Sequence, residues 1–287
     1  MIKVLVAVFA VVCALSGVYS QISKSTRPAM TSRELNFYGP EVQLPPSVVI
    51  LGVSPDEYYE HINACGSAVL VDSYRGLYLT AFHVIEDERG AWIIHGSDRV
   101  AVPARSNPRW VDVAADLAVV QVRTNRWCKN VPAVPLASGP PDNQESLRSY
   151  GYHPVFRLTH VDMRGFAQVY TVLKSESDGC IDPSSCLVRD LIEGKISSGM
   201  AVDPAELEYV YPRQIYGLHD GASKFGLRPG MSGGPLVDQG GFLVGIARAY
   251  ATFDASGKYG FFAPAYMARQ LIIRAQQDIS EEKNFDH

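Results

Sequence analysis

Short apolar runs separated by turn residues are the feature that most constrains the fold of this chain. Between residues 47 and 263, runs rich in β-branched and aromatic side chains alternate with Gly, Pro, Asn and Asp, as in SVVILGV, GSAVLV, LYLTA, DLAVVQV and GFLVGIA. No long amphipathic helical pattern interrupts them. Many short strands joined by frequent turns are typical of an all-β sandwich or barrel rather than an α/β fold.

A single helix is predicted near the C-terminal end. In AYMARQLIIRAQQ the apolar residues Met267, Leu271, Ile272 and Ala275 recur at the spacing of one helical face. The final SEEKNFDH is predicted to be a solvated tail. The Pro-rich segment ASGPPDNQES separates two strand-rich halves, which gives three predicted units at residues 47–140, 141–263 and 264–287.

The first 20 residues have the pattern of a secretory signal peptide. One Lys precedes an apolar run, and small residues precede polar QISKSTR. The run is shorter than most membrane spans and contains Ser and Gly, so a retained anchor is the weaker alternative. We expect cleavage after Ser20 and a secreted or periplasmic protein without a stable membrane span, with residues 21–46 as an N-terminal extension or pro-segment.

Export would permit disulfides between the four cysteines that remain after Cys13 is removed with the signal. Cys180 and Cys186 flank a short loop and are the favoured bridge, which leaves Cys65 and Cys128 to pair or to stay reduced. No CxxC or nearby His spacing supports a zinc site, so no metal is expected. The 26 basic and 30 acidic residues leave no basic footprint for nucleic acid or anionic membrane.

The strongest local motif is GMSGGPLV at residues 230–237. Glycines on both sides of Ser232 allow the backbone to bend, present the hydroxyl and direct neighbouring N–H groups to one point, as an acyl-transfer nucleophile requires. The motif also satisfies the G-x-S-x-G elbow of α/β-hydrolases. In that fold the acid and the histidine follow the serine, but the sole histidine after Ser232 is the terminal His287. The base must therefore lie upstream, in the order His, Asp, Ser.

His83 is the predicted general base, because it follows a strand-like run in LYLTAFHVIED. The segment CGSAVLVDSYRGLYLTAFHVI resembles the stretch of trypsin-like and HtrA-type proteases that delivers this base. The other histidines before Ser232 lie in polar or turn-like contexts, where a surface or hydrogen-bonded role is expected: His61, His95, His153, His160 and His219.

The same resemblance assigns the remaining parts of the site. The D-L-A-V-V string of AADLAVVQV implies that Asp116 orients the histidine, with Asp112 as the alternative. It further implies a double barrel of two six-stranded antiparallel β-barrels, and an oxyanion hole formed by the N–H groups of Gly230 and Ser232. The primary substrate pocket would lie beside Gly226, Leu227, Arg248, Ala249 and Tyr250, where Tyr250 would favour small or medium apolar side chains over Lys or Arg.

The chain departs from the vertebrate enzymes of this family at two motif positions. Met231 stands where trypsin-like zymogens carry the aspartate that receives the newly cut N-terminus, so activation by that insertion is not expected. Val84 replaces a cysteine that would otherwise bridge to Cys65. The chain after the last helix is also too short for the PDZ domain that HtrA-type enzymes usually append.

The predicted function is therefore a serine endopeptidase that acts on protein or peptide substrates and needs no cofactor. A catalytically silent binding or adaptor protein of the same fold is the alternative. A third possibility is a processing enzyme that cuts one partner or itself. The sequence does not predict the oligomeric state.

Overall fold

The computed structural model of the protein describes most of the strand-rich region and the C-terminal helix. The described residues are 42–54, 63–86, 90–94, 101–122, 128–142, 145–156, 161–172, 215–219, 227–253 and 257–285. The predicted signal segment, Cys180 and Cys186 lie outside them.

The first barrel is an antiparallel sheet whose ends meet. Its strands are β1 (Val48–Ser54), β2 (Asn63–Asp72), β3 (Leu77–Ala81), β4 (Gly90–Ile94), β5 (Ala101–Arg105), β6 (Val111–Asp112) and β7 (Leu117–Val122). They are ordered β3-β2-β1-β4-β5-β7-β6, and pairing of β3 with β7 closes a ring of six. The two-residue strand β6 is attached to β7 outside that ring.

The second barrel is closed by six strands. They are β8 (Ser146–Phe156), β9 (Val161–Val172), β10 (Ile215–His219), β11 (Pro235–Val237), β12 (Leu243–Phe253) and β13 (Gly257–Pro264), in the order β10-β13-β12-β11-β8-β9. The prediction of an all-β protein with two six-stranded barrels is confirmed.

Each barrel has its own apolar core. The first core includes every residue of β3 apart from Thr80, together with Trp110 and apolar residues of β7. The second core is smaller and includes Met231. In it the rings of Tyr170 and Phe262 meet edge to face, with their centroids 5.2 Å apart. Both strands β3 and β7 are buried over nearly their whole length, which explains why their sequences are continuous apolar runs rather than alternating ones.

The C-terminal helix α1 (Arg269–Phe285) follows a 3-10 turn at Ala265–Ala268. Leu271, Ile272 and Ala275 lie in the first core, as predicted. The predicted solvated end that begins at Ser280 is helical as far as Phe285, and Ser280, Glu281 and Glu282 are exposed. Ile279 extends the buried stripe by one turn, and Glu282 forms an ion pair with Arg105 of β5.

Among the described residues, no helix is both long and apolar enough to span a membrane. Within the same residues, no group of three or more His, Cys, Asp or Glu side chains is arranged to hold a metal ion.

Candidate active site

The end of β3 positions His83. A 3-10 turn at Phe82–Val84 follows the strand directly. Because β3 pairs with β7 through Ala81 and Leu117, the turn after β3 lies beside the residue that precedes β7, which is Asp116. The N–H of Phe82 accordingly donates to the backbone oxygen of Asp116 at 3.1 Å.

Asp116 holds His83 at two points. Its Oδ1 accepts the backbone N–H of His83 at 2.8 Å, and its Oδ2 lies 2.8 Å from Nδ1 of the imidazole ring. Asp116 as a whole residue is 4% exposed. Because a carboxylate only accepts, Nδ1 of a neutral His83 must carry the hydrogen, so Nε2 has the lone pair that a general base needs.

The backbone of Asp116 is in the left-handed region, with φ at 56°. Few residues other than glycine adopt this conformation, and aspartate is among those that tolerate it best. Asp112 has a different task, because its Oδ1 accepts the N–H of Ala115 at 2.9 Å within the same turn. The structure thus brings Asp116, rather than the alternative Asp112, to His83.

Arg248 forms a contact with Asp116 that the sequence did not predict. Its Nε lies 3.0 Å from Oδ2 of Asp116, and its side chain is 9% exposed. The register of β12 with β13 shifts between Ala247 and Ala249, and such a bulge re-aims the extra residue. The resemblance had assigned Arg248 to the substrate pocket. A charge inside the apolar strand LVGIARAY was the available signal, because a buried arginine requires a partner.

The serine lies in a tight turn between two glycines with positive φ. Gly230 has φ at 88° and Gly233 at 84°, a region that glycine enters without steric cost. The N–H of Gly233 donates to the oxygen of Ala247 at 2.7 Å, and the N–H of Gly234 to the oxygen of Met231 at 2.9 Å. Ser232 itself is 6% exposed.

Ser67 of β2 joins this turn to the first barrel. Its N–H donates to the oxygen of Ser232 at 2.7 Å, and its hydroxyl donates to the oxygen of Gly230 at 2.9 Å. Its own carbonyl accepts the hydroxyl of Thr80, three residues before His83, at 2.8 Å. A chain of hydrogen bonds therefore runs from the serine turn to the strand that carries the histidine.

Two glycines allow the barrels to approach closely at this point. A Cβ atom on Gly66 would lie 2.6 Å from Val84 Cγ1 and 3.0 Å from the oxygen of Ser232. A Cβ on Gly233 would lie 2.1 Å from the oxygen of Ser67. An added Cβ would therefore collide at either glycine. Gly66 lies against both Val84, the residue next to His83, and the backbone oxygen of Ser232.

The other residues that were predicted to line the substrate pocket or to flank Ser232 lie in the second barrel or outside the described residues. Met231 and Leu227 are buried in the second core, so no ionisable side chain stands next to Ser232 on its N-terminal side. Ala249 and Tyr250 belong to β12, with Tyr250 opposite Gly260 of β13. Gly226 lies outside the described residues.

The structure also shows the position of Cys128 and of one of the histidines that were set aside as candidates for the base. Cys128 is a buried thiol that contacts the oxygen of Ser73 at 3.6 Å and forms no disulfide, so the pairing with Cys65 is not made. Burial raises the pKa of this thiol. His219 ends β10, whereas His61, His95 and His160 lie outside the described residues.

Two closed barrels with a histidine–aspartate pair and a glycine-bounded serine at their junction define the class of double-barrel peptidases. The chain belongs to the trypsin-like peptidase family, because the family described as "Trypsin-like peptidase domain" matches residues 66–246. The chain is a peptidase of this type. No curated protein matches the sequence.

Solved structures with a similar fold include several proteases. The MamO protease domain from Magnetospirillum magneticum is 18% identical over 80% of this chain and 96% of its own, with a TM-score of 0.47. The serine endoprotease from Yersinia pestis is 17% identical over 88% and 69%, with a TM-score of 0.49. The HtrA-type protease AlgW with a decapeptide is 20% identical over 82% and 65%, with a TM-score of 0.48.

Proposed function

We propose that this peptidase is a serine endopeptidase that hydrolyses peptide bonds through an acyl-enzyme. The observation that supports the proposal most strongly is the bidentate hold of Asp116 on His83, at a point where the turn of Ser232 is hydrogen-bonded to the strands that lead to the histidine. Trypsin-like peptidases of this kind need a base in one fixed tautomer, and the pair supplies it.

In the proposed first half-reaction, Ser232 Oγ attacks the carbonyl carbon of the scissile bond and Nε2 of His83 takes the hydroxyl proton. Asp116 stabilises the resulting imidazolium. The N–H groups of Gly230 and Ser232 bind the oxyanion that forms. The carbon–nitrogen bond then breaks, and His83 returns the proton to the departing amine, which leaves an ester on Ser232.

Water completes the cycle by the same route in reverse. It attacks the ester carbon while His83 removes one of its protons, and the tetrahedral intermediate is held in the same oxyanion hole. The ester bond to Ser232 breaks as His83 reprotonates Oγ. The product acid leaves and the enzyme is restored, with no cofactor consumed.

The proposed substrates are proteins or peptides. By resemblance to the family, the primary pocket is proposed to lie beside Tyr250 and to accept small or medium apolar side chains. A peptide mixture incubated with the purified protein should yield new C-termini of this kind. Cleavage of these peptides mainly after Lys or Arg would contradict this part of the proposal.

Removal of the proposed signal peptide is a separate question. N-terminal sequencing of the expressed protein tests whether the chain is cut after Ser20.

A fluorophosphonate probe tests the nucleophile directly. We expect covalent labelling of the folded wild-type protein on Ser232, loss of labelling in Ser232→Ala, and unchanged labelling in Ser280→Ala, which alters a serine on the exposed side of α1. Absence of labelling in well-folded wild-type protein would instead favour the adaptor function that shares this fold.

A further inference from the structure

We propose that His153 is a positioning residue that holds the peptide between Pro229 and Gly230 with its N–H directed into the oxyanion hole. The inference rests on the proposed function, because it assigns a support to one of the two oxyanion donors. His153 lies on β8 of the second barrel, and the predicted mechanism gives it no role.

A single hydrogen bond carries the argument. Nδ1 of His153 lies 2.7 Å from the carbonyl oxygen of Pro229. That carbonyl belongs to the same peptide unit as the N–H of Gly230, and the described residues contain no cis peptide bond. In a trans peptide the C=O and N–H point in opposite directions. Holding the oxygen on the side of His153 therefore directs the N–H of Gly230 to the other side.

The bond requires His153 to donate, and its surroundings keep the ring in place. A carbonyl oxygen only accepts, so Nδ1 must carry a hydrogen. The ring meets Phe166 edge to face at 5.8 Å, and the guanidinium of Arg228 lies over the same phenyl ring at 5.0 Å. Burial, aided by the charge of Arg228 and opposed by the bond to Pro229, lowers the pKa of His153 to about 4.

The following peptide is held from the opposite barrel. The oxygen of Gly230 accepts the hydroxyl of Ser67 at 2.9 Å, and that hydroxyl accepts the N–H of Tyr152 at 2.9 Å. A Cβ on Gly230 would lie 2.7 Å from Cδ of Pro154. Rotation of either peptide would therefore break a hydrogen bond, of which the one from Ser67 is buried.

The neighbouring side chain explains why such a support is needed. Met231 is fully buried and apolar, so it offers no ionic tether for the loop that precedes the serine. The Pro229–Gly230 peptide needs another group to define its orientation. His153 provides that group from a rigid strand rather than from a mobile chain end.

Three substitutions at one position separate donation from packing. His153→Leu removes the donor, His153→Asn keeps an N–H close to the position of Nδ1, and His153→Gln moves the donor farther from the backbone. We expect kcat of His153→Leu to fall about 10- to 100-fold with KM changed by less than about threefold, because an oxyanion donor acts in the transition state. His153→Asn should recover most of kcat, and His153→Gln less.

The affinity for a peptide boronate gives a second readout, which measures binding rather than turnover. The tetrahedral adduct uses the oxyanion hole, so its affinity should fall in parallel with kcat/KM across the three variants. Equal kcat in His153→Leu and wild type would overturn the inference, as would a boronate affinity that did not follow kcat/KM. Loss of kcat in all three variants, in proportion to lost stability, would show a structural role only and would also overturn it.

A readout independent of activity distinguishes failure of this inference from failure of the proposed function. Nitrogen NMR of the imidazole, assigned by its absence in His153→Asn, should show the Nδ1–H tautomer and a pKa near 4. If the wild type neither reacts with the fluorophosphonate nor cuts peptides, the proposed function fails whatever the spectrum. If it does both and His153 is in the Nε2–H tautomer, only this inference fails.

The lowered pKa also has a consequence for stability. The folded chain takes up the His153 proton near pH 4 and the unfolded chain near pH 6.5, so the unfolded state binds more protons between these values. The contribution to stability is therefore full above about pH 6.5 and falls as the pH drops towards 4. The charged groups nearest His153 are Arg228, which lies over the ring of Phe166, and Arg164, which is opposite His153 in the ladder. His153→Asn should remove this part of the slope, and an unchanged slope would contradict burial of a neutral ring.

Discussion

On the first barrel the site consists of side chains that bond to each other, whereas on the second it consists of a backbone turn. His83, Asp116 and Arg248 form one connected group, although Arg248 comes from the second barrel. Ser232 is presented by two glycines at positive φ, and its turn is held through main-chain atoms. The proposed catalytic base therefore depends on which side chains are present, while the proposed oxyanion hole depends on the direction of peptide N–H groups.

This difference implies that the two halves should fail differently. Substitution of His83 or Asp116 should reduce turnover while leaving the fold intact, whereas loss of Arg248, which comes from the second barrel, should act mainly on stability. A change on the serine side should disturb backbone geometry and thus affect both turnover and stability. Ser67 joins the halves, because it bonds to the oxygens of both Gly230 and Ser232.

The largest expected effect is that of Asp116→Asn. An amide can donate to His83 Nδ1 and so favours the wrong tautomer, and comparable changes elsewhere reduce kcat about 10⁴-fold. The matched control is Asp112→Asn, because an asparagine oxygen can still accept the N–H of Ala115. Peptide hydrolysis should be nearly normal in the control. Equal losses in both variants would show that the turn, rather than the carboxylate, matters.

The next largest effect is expected from Gly230→Ala. The new Cβ would collide with Pro154 Cδ at 2.7 Å and the oxygen of Tyr152 at 2.9 Å, which would displace the proposed oxyanion donor. We expect kcat to fall about 10²- to 10³-fold. Gly241→Ala is the control, because Gly241 has φ at 81° but no atom within 4 Å of its added Cβ. If both variants lost activity equally, backbone strain alone would explain the loss.

Arg248→Leu should act mainly on stability. It leaves the buried carboxylate of Asp116 beside His83 but without the guanidinium, and removal of one member of a buried pair typically costs about 3–5 kcal/mol. Denaturant unfolding measures the change, with Arg148→Leu on the exposed side of β8 as the control. The double variant with Asp116→Asn should cost less than the sum of the two single changes. Strict additivity would show that the two side chains are not coupled.

The sequence was sufficient for the parts of the site that depend on local pattern. The apolar runs of β3 and β7 predicted both strands, and the chain order of histidine, aspartate and serine excluded the α/β-hydrolase fold. The contact of Arg248 with Asp116 was not predictable in this way, because it depends on a bulge in β12 and on residues 132 positions apart. The bond from His153 to Pro229 was missed for the same reason. A turn-like local context does not reveal which carbonyl lies opposite in the folded barrel.

The smallest of these effects should come from the contact that joins α1 to the first barrel. Asp278 accepts the indole N–H of Trp110 at 2.9 Å and the guanidinium of Arg109 at 2.8 Å. Trp110 is 1% exposed, so Asp278→Ala leaves a buried donor without this acceptor and should lower the free energy of unfolding by about 1–3 kcal/mol. Glu281→Ala, on the exposed side of the same helix, should change it by less than about 0.5 kcal/mol. Because neither residue touches the serine turn, kcat of the folded protein should be unchanged in both. A fall in kcat for Asp278→Ala but not for Glu281→Ala would contradict this expectation. It would show that α1 helps to hold His83 as well as the first barrel, so that turnover and stability could not be separated on the first barrel.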